Sequence, residues 1–487
     1  MSQQEKTETT HLTSDSQSFQ STQWNNGTNE RNFLYSLSEL DHIWPSTGNS
    51  TSNKPNVTTN LRNVEEMINN PPKDRHNLVY ILMMIHGIAV LIPWNMFINA
   101  KDYFENYKLD NGNRSSTTLL DYKTNFMSYI GMASQYPCFI MNFINLFIQC
   151  KGNTVGLRIL ASIIVTVIMF VVTVILAVTD TSSWSEEFFW ITIISAVVIN
   201  AAVGLYQNSI FGIVAVLPMK YTNAVIFGNN ISGTLVAVTN IIVLVFSPSK
   251  KTSAIYCFLV AIVILVVAFD AYFITSRCKF YRHYLELSEL EKLQYQKSSV
   301  GRKPSYKMLF QSYGRVFKKI YHLLFGVWFS FFVTLALFPA VMSDVKPLTV
   351  QLSGEYWTAI FCFLCYNLFA TFGNLTTEFI QWPKARWINI IVVLRLCFAP
   401  IMILGNFRPE LRNLPVYLPY DSVFIVSAIL FSFTSGYCSS LVMMYAPKCV
   451  APNDSANAGM VMALFLVFGV LCGINFSRVW GIVIGSG

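Results

Sequence analysis

Eleven apolar runs, each of roughly 20 to 30 residues, dominate the second to last parts of this 487-residue chain. They lie at about 78–100, 125–149, 156–178, 188–217, 223–247, 253–275, 319–341, 356–381, 386–405, 421–446 and 458–484. A helix of about 20 apolar residues crosses the hydrocarbon of a bilayer. No water is available there for stray backbone groups, so repeated runs of this length fold as spanning helices. The expected fold class is all-α, a polytopic membrane protein with eleven transmembrane helices, six before a central loop and five after it. Charged residues make up 12% of the chain, about half of what a soluble domain carries. That deficit excludes a soluble enzyme, a disordered protein and a nucleic-acid binder with a basic solvated face.

Four regions follow from the spacing. Residues 1–77 are rich in Ser, Thr, Asn and Gln and read as a disordered cytoplasmic tail. Residues 78–275 hold spans one to six, 276–318 form a basic loop, and 319–487 hold the remaining five. No apolar run follows the first Met, so no cleavable signal peptide is expected.

The formal charge of +8 is unevenly placed. Residues 1–77 contain 6 basic and 9 acidic residues, so the excess of positive charge belongs to the hydrophobic part. The central loop, taken to Lys319, carries eleven Lys or Arg against Glu286, Glu289 and Glu291. Loops of this kind stay in the cytoplasm. Six spans before it place the N-terminus inside, and five after it place the C-terminus outside. Lys250 and Lys251, on an expected outer loop, break the pattern. Asn113 heads an Asn-Arg-Ser sequon on the first outer loop and is the expected glycosylation site. From Lys279 to about Lys297 apolar residues recur at helical spacing, consistent with a surface helix or a solvated linker.

Polar side chains inside the spans are few and therefore informative. They are mostly amides: Asn95, Gln135, Gln207, Asn208, Asn229, Asn230, Asn367 and Asn374. An amide offers a donor and an acceptor together, which suits a neutral hydrogen-bonding solute better than an ion. Trp94 adds a flat face for a planar ring. The same amides also tie helices together. Gly228 and Gly233 read first as helix-packing positions. Arg395 reads as the partner of a carbonyl or carboxylate, and His86 as a satisfied histidine between helices. Glu378 is a carboxylate for a proton or polar role, or one that simply meets water at a helix end. Cys362 and Cys365 stand alone as a C-x-x-C inside an apolar run, short of the four ligands a structural zinc needs. No catalytic residues, metal or cofactor are expected.

Several runs resemble the equilibrative nucleoside transporter family. Leu91-Ile-Pro-Trp-Asn-Met-Phe-Ile-Asn-Ala-Lys-Asp-Tyr-Phe104 is similar to its first-helix signature. Tyr206-Gln-Asn-Ser-Ile-Phe-Gly212, Gly228 to Gly233, Phe338-Pro-Ala340, Trp382-Pro383 and Gly436-Tyr437 resemble later signatures in the same order. The resemblance implies a major-facilitator-like six-plus-five fold and a passive carrier of nucleosides or nucleobases working by alternating access. It implies a cavity lined by Leu91, Trp94, Asn95, Gln135, Cys138, Gln207, Phe338, Asn367, Asn374 and Val470. It departs in the eighth helix, where the family pattern Asn-x-x-Asp-x-x-x-Arg reads Asn367, Ala370 and Asn374. In the family that pair helps read the ribose, so weaker ribose discrimination is expected here. The expected partners are the small-molecule substrate and the lipid bilayer, with no nucleic acid and a monomeric chain; the expected address is the plasma membrane, with an intracellular membrane as the alternative. A same-fold carrier of another solute, such as an organic cation or a proton-coupled substrate, and a non-transporting receptor or scaffold are the alternatives.

Overall fold

The computed structural model describes residues 67, 70–100, 103–109, 117–148, 155–246, 250–298, 306–410 and 412–485. The Asn113 sequon and nearly all of the N-terminal tail lie outside the described residues. Two units are separated at Pro72, and the second, Lys73–Gly487, contains every element discussed below.

The described chain is helical. We label its long apolar helices α1 Leu78–Asn99, α2 Phe126–Ile148, α3 Val155–Val178, α4 Ser185–Val214, α5 Met219–Phe246 and α6 Lys250–Arg277. After these come α7 Tyr306–Leu337, α8 Gly354–Phe379, α9 Ile388–Leu404, α10 Asp421–Tyr445 and α11 Ser455–Phe476. Among the described residues nine helices are long and apolar enough to cross a membrane. The other two are α2, whose apolar run is diluted by Gln135, Asn142 and Asn145, and α9, a shorter apolar helix interrupted by a 3-10 turn at Arg395–Cys397. A row of apolar side chains on α3, namely Leu157, Ile164, Ile168, Val171, Ile175 and Val178, faces outward at helical spacing. Such a stripe is costly in water and at home in lipid.

The helices pair closely. α1 packs on α5 and α6, α2 on α4, α3 on α4 and α6, α7 on α11, and α8 on α10. α5 also packs on α8, and α11 on both α2 and α4. A Cβ at Gly228 of α5 would lie 2.1 Å from the Met84 carbonyl oxygen of α1, so only glycine allows that crossing. Gly233, one turn further, makes room for the Asn367 amide of α8; a Cβ there would come within 1.8 Å of its Oδ1.

In the central segment the start of α7 departs from the sequence reading, while the helical one of the two readings of 279–297 holds. Helix α7 starts at Tyr306, well before the apolar run at 319, because its first turns are amphipathic rather than lipid-facing. Residues Lys279–Ser298 form a helix whose Phe280, Tyr281 and Ser288 are buried, and Phe280 packs against Tyr221 with ring centroids 5.0 Å apart. That face rests on protein. Arg315 of α7 pairs with Asp454, just before α11, at 3.1 Å, and Ser312 donates to the same carboxylate at 2.6 Å.

Lys251, one of the two lysines that break the charge pattern, has a structural reason to be there, and Lys108 shares it. Lys251 donates to the Val178 carbonyl at 2.9 Å, and Lys108 donates to those of Leu176 and Thr179 at 3.0 and 2.6 Å. Both ammonium groups satisfy orphan carbonyls at the C-terminus of α3, where the helix dipole favours a cation. At the same end Asp421 accepts the backbone N–H groups of Leu348, Thr349 and Val350, fixing the loop before α8 at the head of α10.

Candidate functional site

A cavity of about 810 Å³ opens between α1, α2 and α5 on one side and α7, α8 and α11 on the other. It lies at the end where α1 and α7 finish and α2 and α8 begin. That volume falls in the range of small-molecule sites.

Sequence elements that bend helices surround it. Pro93 lies inside α1, immediately before Trp94, and Pro137 lies inside α2, two residues after Gln135. A proline removes one ladder hydrogen bond and displaces the preceding turn. Trp94 and Gln135 both line the cavity. On the facing side α8 opens with a π-helical turn, Thr358–Leu364, and Thr358, Ala359 and Phe363 of that turn line the cavity. Wide turns of this kind gather at functional sites. No simple sequence signal marks one, and the sequence reading did not include these residues.

The remaining expected residues are placed as follows. Asn95 donates to the Ser232 hydroxyl of α5 at 3.2 Å. Phe338 stacks on Tyr366 with centroids 3.8 Å apart, and its neighbours Leu335 and Pro339 line the cavity. The Tyr366 hydroxyl meets Ser435 at 3.0 Å, and Ser435 meets Thr334 at the same distance. Asn367 donates back to the Phe363 carbonyl at 2.9 Å. Leu91 and Val470 are half-buried, and neither they nor Cys138 and Gln207 are among the cavity-lining residues. Cys138 is buried on α2 and Gln207 on α4, where the adjacent Asn208 donates to the Met460 carbonyl of α11 at 2.9 Å.

Asn374 stands apart from the cavity. It is fully buried nearer the opposite end and donates to Asn223 of α5 at 3.0 Å and to Ser440 of α10 at 2.5 Å. Glu378, one turn on, accepts hydrogen bonds from Tyr80 of α1 and, at 3.4 Å, from Asn223. Sequence reading placed Asn374 with the substrate; the structure places it with Glu378, between helices.

Two other polar residues have plain partners. Arg395 donates to the carbonyl and hydroxyl of Ser330 at 3.0 Å each and to Thr334 at 2.9 Å, with its guanidinium 4.9 Å from the Phe431 ring centre. His86 Nδ1 meets the Tyr206 hydroxyl at 2.7 Å. Charge at the cavity mouth comes instead from the Asp344–Arg408 pair at 2.7 Å, with Lys346, Glu355 and Arg478 beside it. These lie on loops and helix ends, and all but Arg478 fall outside the apolar runs on which the sequence reading concentrated. Among the described residues no cluster of His, Cys, Asp or Glu fit to hold a metal is present.

Comparison with known proteins agrees on one theme. A family model described as nucleoside transporter matches residues 193–482. The chain is 29% identical to equilibrative nucleoside transporter 1 of Homo sapiens, over 83% of this chain and 97% of that one. It is 30% identical to equilibrative nucleoside transporter 1 of Rattus norvegicus and to equilibrative nucleoside transporter 2 of Homo sapiens, each with the same coverage. Among solved structures, the major facilitator superfamily proton:xylose symporter XylE aligns with a TM-score of 0.54 at 10% identity, covering 83% of this chain and 87% of that one. The E. coli fucose:proton symporter FucP aligns at 0.52 and 12% identity, covering 83% and 90%. At such identities the two structures speak for the fold alone.

Proposed function

The chain belongs to the equilibrative nucleoside transporter family, and from that premise we propose how it carries its substrate. It is a multi-pass membrane transporter of nucleosides rather than an enzyme. Our finer reading is of eleven spans, six before the central loop and five after it. The N-terminus is inside and the C-terminus outside, and the plasma membrane is the main address. With that orientation the cavity faces outward, since α1 runs from inside to outside and the cavity sits at its far end.

The observation that carries the reading is the cavity itself. It is large enough for a nucleoside, bordered by Trp94 and Gln135, and walled on the facing side by Leu335, Pro339 and Phe363. We assign Trp94 to stacking on the base, because an indole face attracts a planar ring, and Gln135 to a paired donor and acceptor contact with its edge. Leu91, Asn95, Cys138, Gln207, Asn367 and Val470 would meet the substrate as the cavity closes inward around it. A carrier that alternates between outer and inner access needs no cofactor and no covalent step. It needs two arrangements of nearly equal energy whose populations the substrate shifts only by binding one of them better.

The cavity mouth carries acids and bases, but the walls near Trp94 and Gln135 are neutral. We therefore read the substrate as uncharged and its movement as passive, and carry nucleobases as second substrates. The test is uptake of labelled adenosine and adenine by vesicles holding the purified protein. Both should equilibrate without a pH gradient. An absolute requirement for an imposed gradient would overturn the passive reading and favour proton coupling.

A further inference from the structure

The end opposite the cavity is closed by a chain of neutral and acidic side chains joining helices from both parts of the carrier. Tyr80 of α1 donates to Glu378 of α8, and Asn223 of α5 donates to the same oxygen at 3.4 Å. Asn223 in turn accepts from Asn374 at 3.0 Å and from Thr377 at 3.2 Å, both on α8. Asn374 also donates to Ser440 of α10 at 2.5 Å. The start of α1 is itself pinned: Asp74 accepts the N–H groups of Val79 and Tyr80 at 3.1 and 3.2 Å and the Tyr221 hydroxyl of α5 at 3.0 Å. Tyr80 is thus presented to Glu378 by a fixed helix terminus.

We propose that Glu378, received by Tyr80 and Asn223, is the keeper of an inner latch that holds this carrier in its outward-open arrangement, and that Asn374 serves that latch rather than the substrate. Every bond from Tyr80 or Asn223 to Glu378, Asn374 or Thr377 runs between a helix before the central loop and a helix after it. Opening the inner end separates α1 and α5 from α8, so these bonds exist only while the inner end is shut. A contact present in one arrangement and absent from the other shifts their populations; a contact present in both shifts nothing. The carboxylate strengthens the hydroxyl bond from Tyr80, because a hydrogen bond to an ionised acceptor is roughly twice as strong as a neutral one. Its position at the helix end, partly in contact with solvent, keeps the latch weak enough to release.

This inference rests on the carrier reading and is tested so that the two fail separately. Adenosine transport is measured from each face, in right-side-out and inside-out vesicles, for wild type, Tyr80→Phe, Glu378→Ala, Glu378→Gln and the Tyr80→Phe/Glu378→Ala pair. The apparent affinity at a face scales with the fraction of carriers open to it. Loss of the latch should raise the apparent affinity from the inner face about fivefold. The outer value should change by less than about twofold, since that arrangement is already the major one. Glu378→Gln, which keeps an acceptor oxygen without the charge, should fall between. The double variant should match Glu378→Ala, because both remove the same bond. An active wild type whose Tyr80→Phe and Glu378→Ala forms lose affinity equally at both faces would overturn the latch and make these residues substrate contacts. Additive effects in the pair, or unchanged affinity at the inner face, would overturn it too. A wild type that moves no adenosine in either direction would instead fail the carrier reading. Thermal unfolding in detergent identifies any variant that does not fold, and Glu378→Gln, which is nearly isosteric, then decides.

Discussion

Lys108 shows how a single residue is settled by surroundings that its neighbours in sequence do not reveal. It follows the first span, yet its side chain is buried against the end of α3 and lies 5.2 Å from the Phe188 ring centre. Burial pulls its pKa down to about 8, the nearby Lys251 charge pulls the same way, and Asp180 opposes them. The ordinary value is 10.5, so the folded state binds this proton less tightly than the unfolded chain. The resulting penalty is complete below about pH 8 and is relieved as the pH rises towards 10.5. Thermal unfolding in detergent should therefore show stability from this group increasing over that window, and Lys108→Met should remove the increment. An unchanged pH profile in the variant would place the proton elsewhere. Trp94 and Gln135 were recognisable in sequence because an aromatic and an amide inside apolar runs are unusual. Asn374 is equally unusual, and its surroundings show the limit. Sequence gives its depth along α8, but only packing shows that its amide turns towards Asn223 and Ser440.

At the scale of the element, the long helices were legible because hydrophobic length alone defines them. Their ends and irregularities were not. The π-helical turn Thr358–Leu364 has no proline or glycine within it, and the 3-10 turn at Arg395–Cys397 sits in the middle of an apolar run. The early start of α7 escaped for a related reason, since an amphipathic helix leaves no long apolar run. Close crossings were visible only as glycines. The α1–α5 crossing at Gly228 gives a sharp expectation: Gly228→Val drives side-chain carbons into the Met84 carbonyl and should cost about 1–3 kcal/mol. Gly314→Ala on α7 is the comparison, because a Cβ there meets nothing within 4 Å. That change should be neutral or stabilise by up to about 1 kcal/mol, since alanine is the better helix former. Thermal unfolding of the two variants side by side checks both, and equal losses would contradict the packing account.

For the whole molecule, the sequence supplied a membrane protein, an orientation and a family resemblance. The relation between distant helices came only with the structure. One end of the molecule holds the cavity, and the other is closed by Tyr80, Glu378, Asn223 and Asn374. Reading Ala370 as the loss of a charged partner was possible in sequence. The structure adds that its carbonyl faces Gly436 of α10, where a Cβ would come within 1.9 Å, leaving little space for a ligand at that point. On the proposed reading, both the chemistry and the placement of positions 370 and 374 argue for weak ribose discrimination. The most direct measurement is competition against labelled adenosine uptake by unlabelled adenine and unlabelled adenosine. The account predicts that adenine competes within about tenfold of adenosine, a difference of no more than about 1.4 kcal/mol. A preference for adenosine of more than about a hundredfold, abolished by Asn374→Ala, would contradict it, because Asn374 would then be reading the ribose.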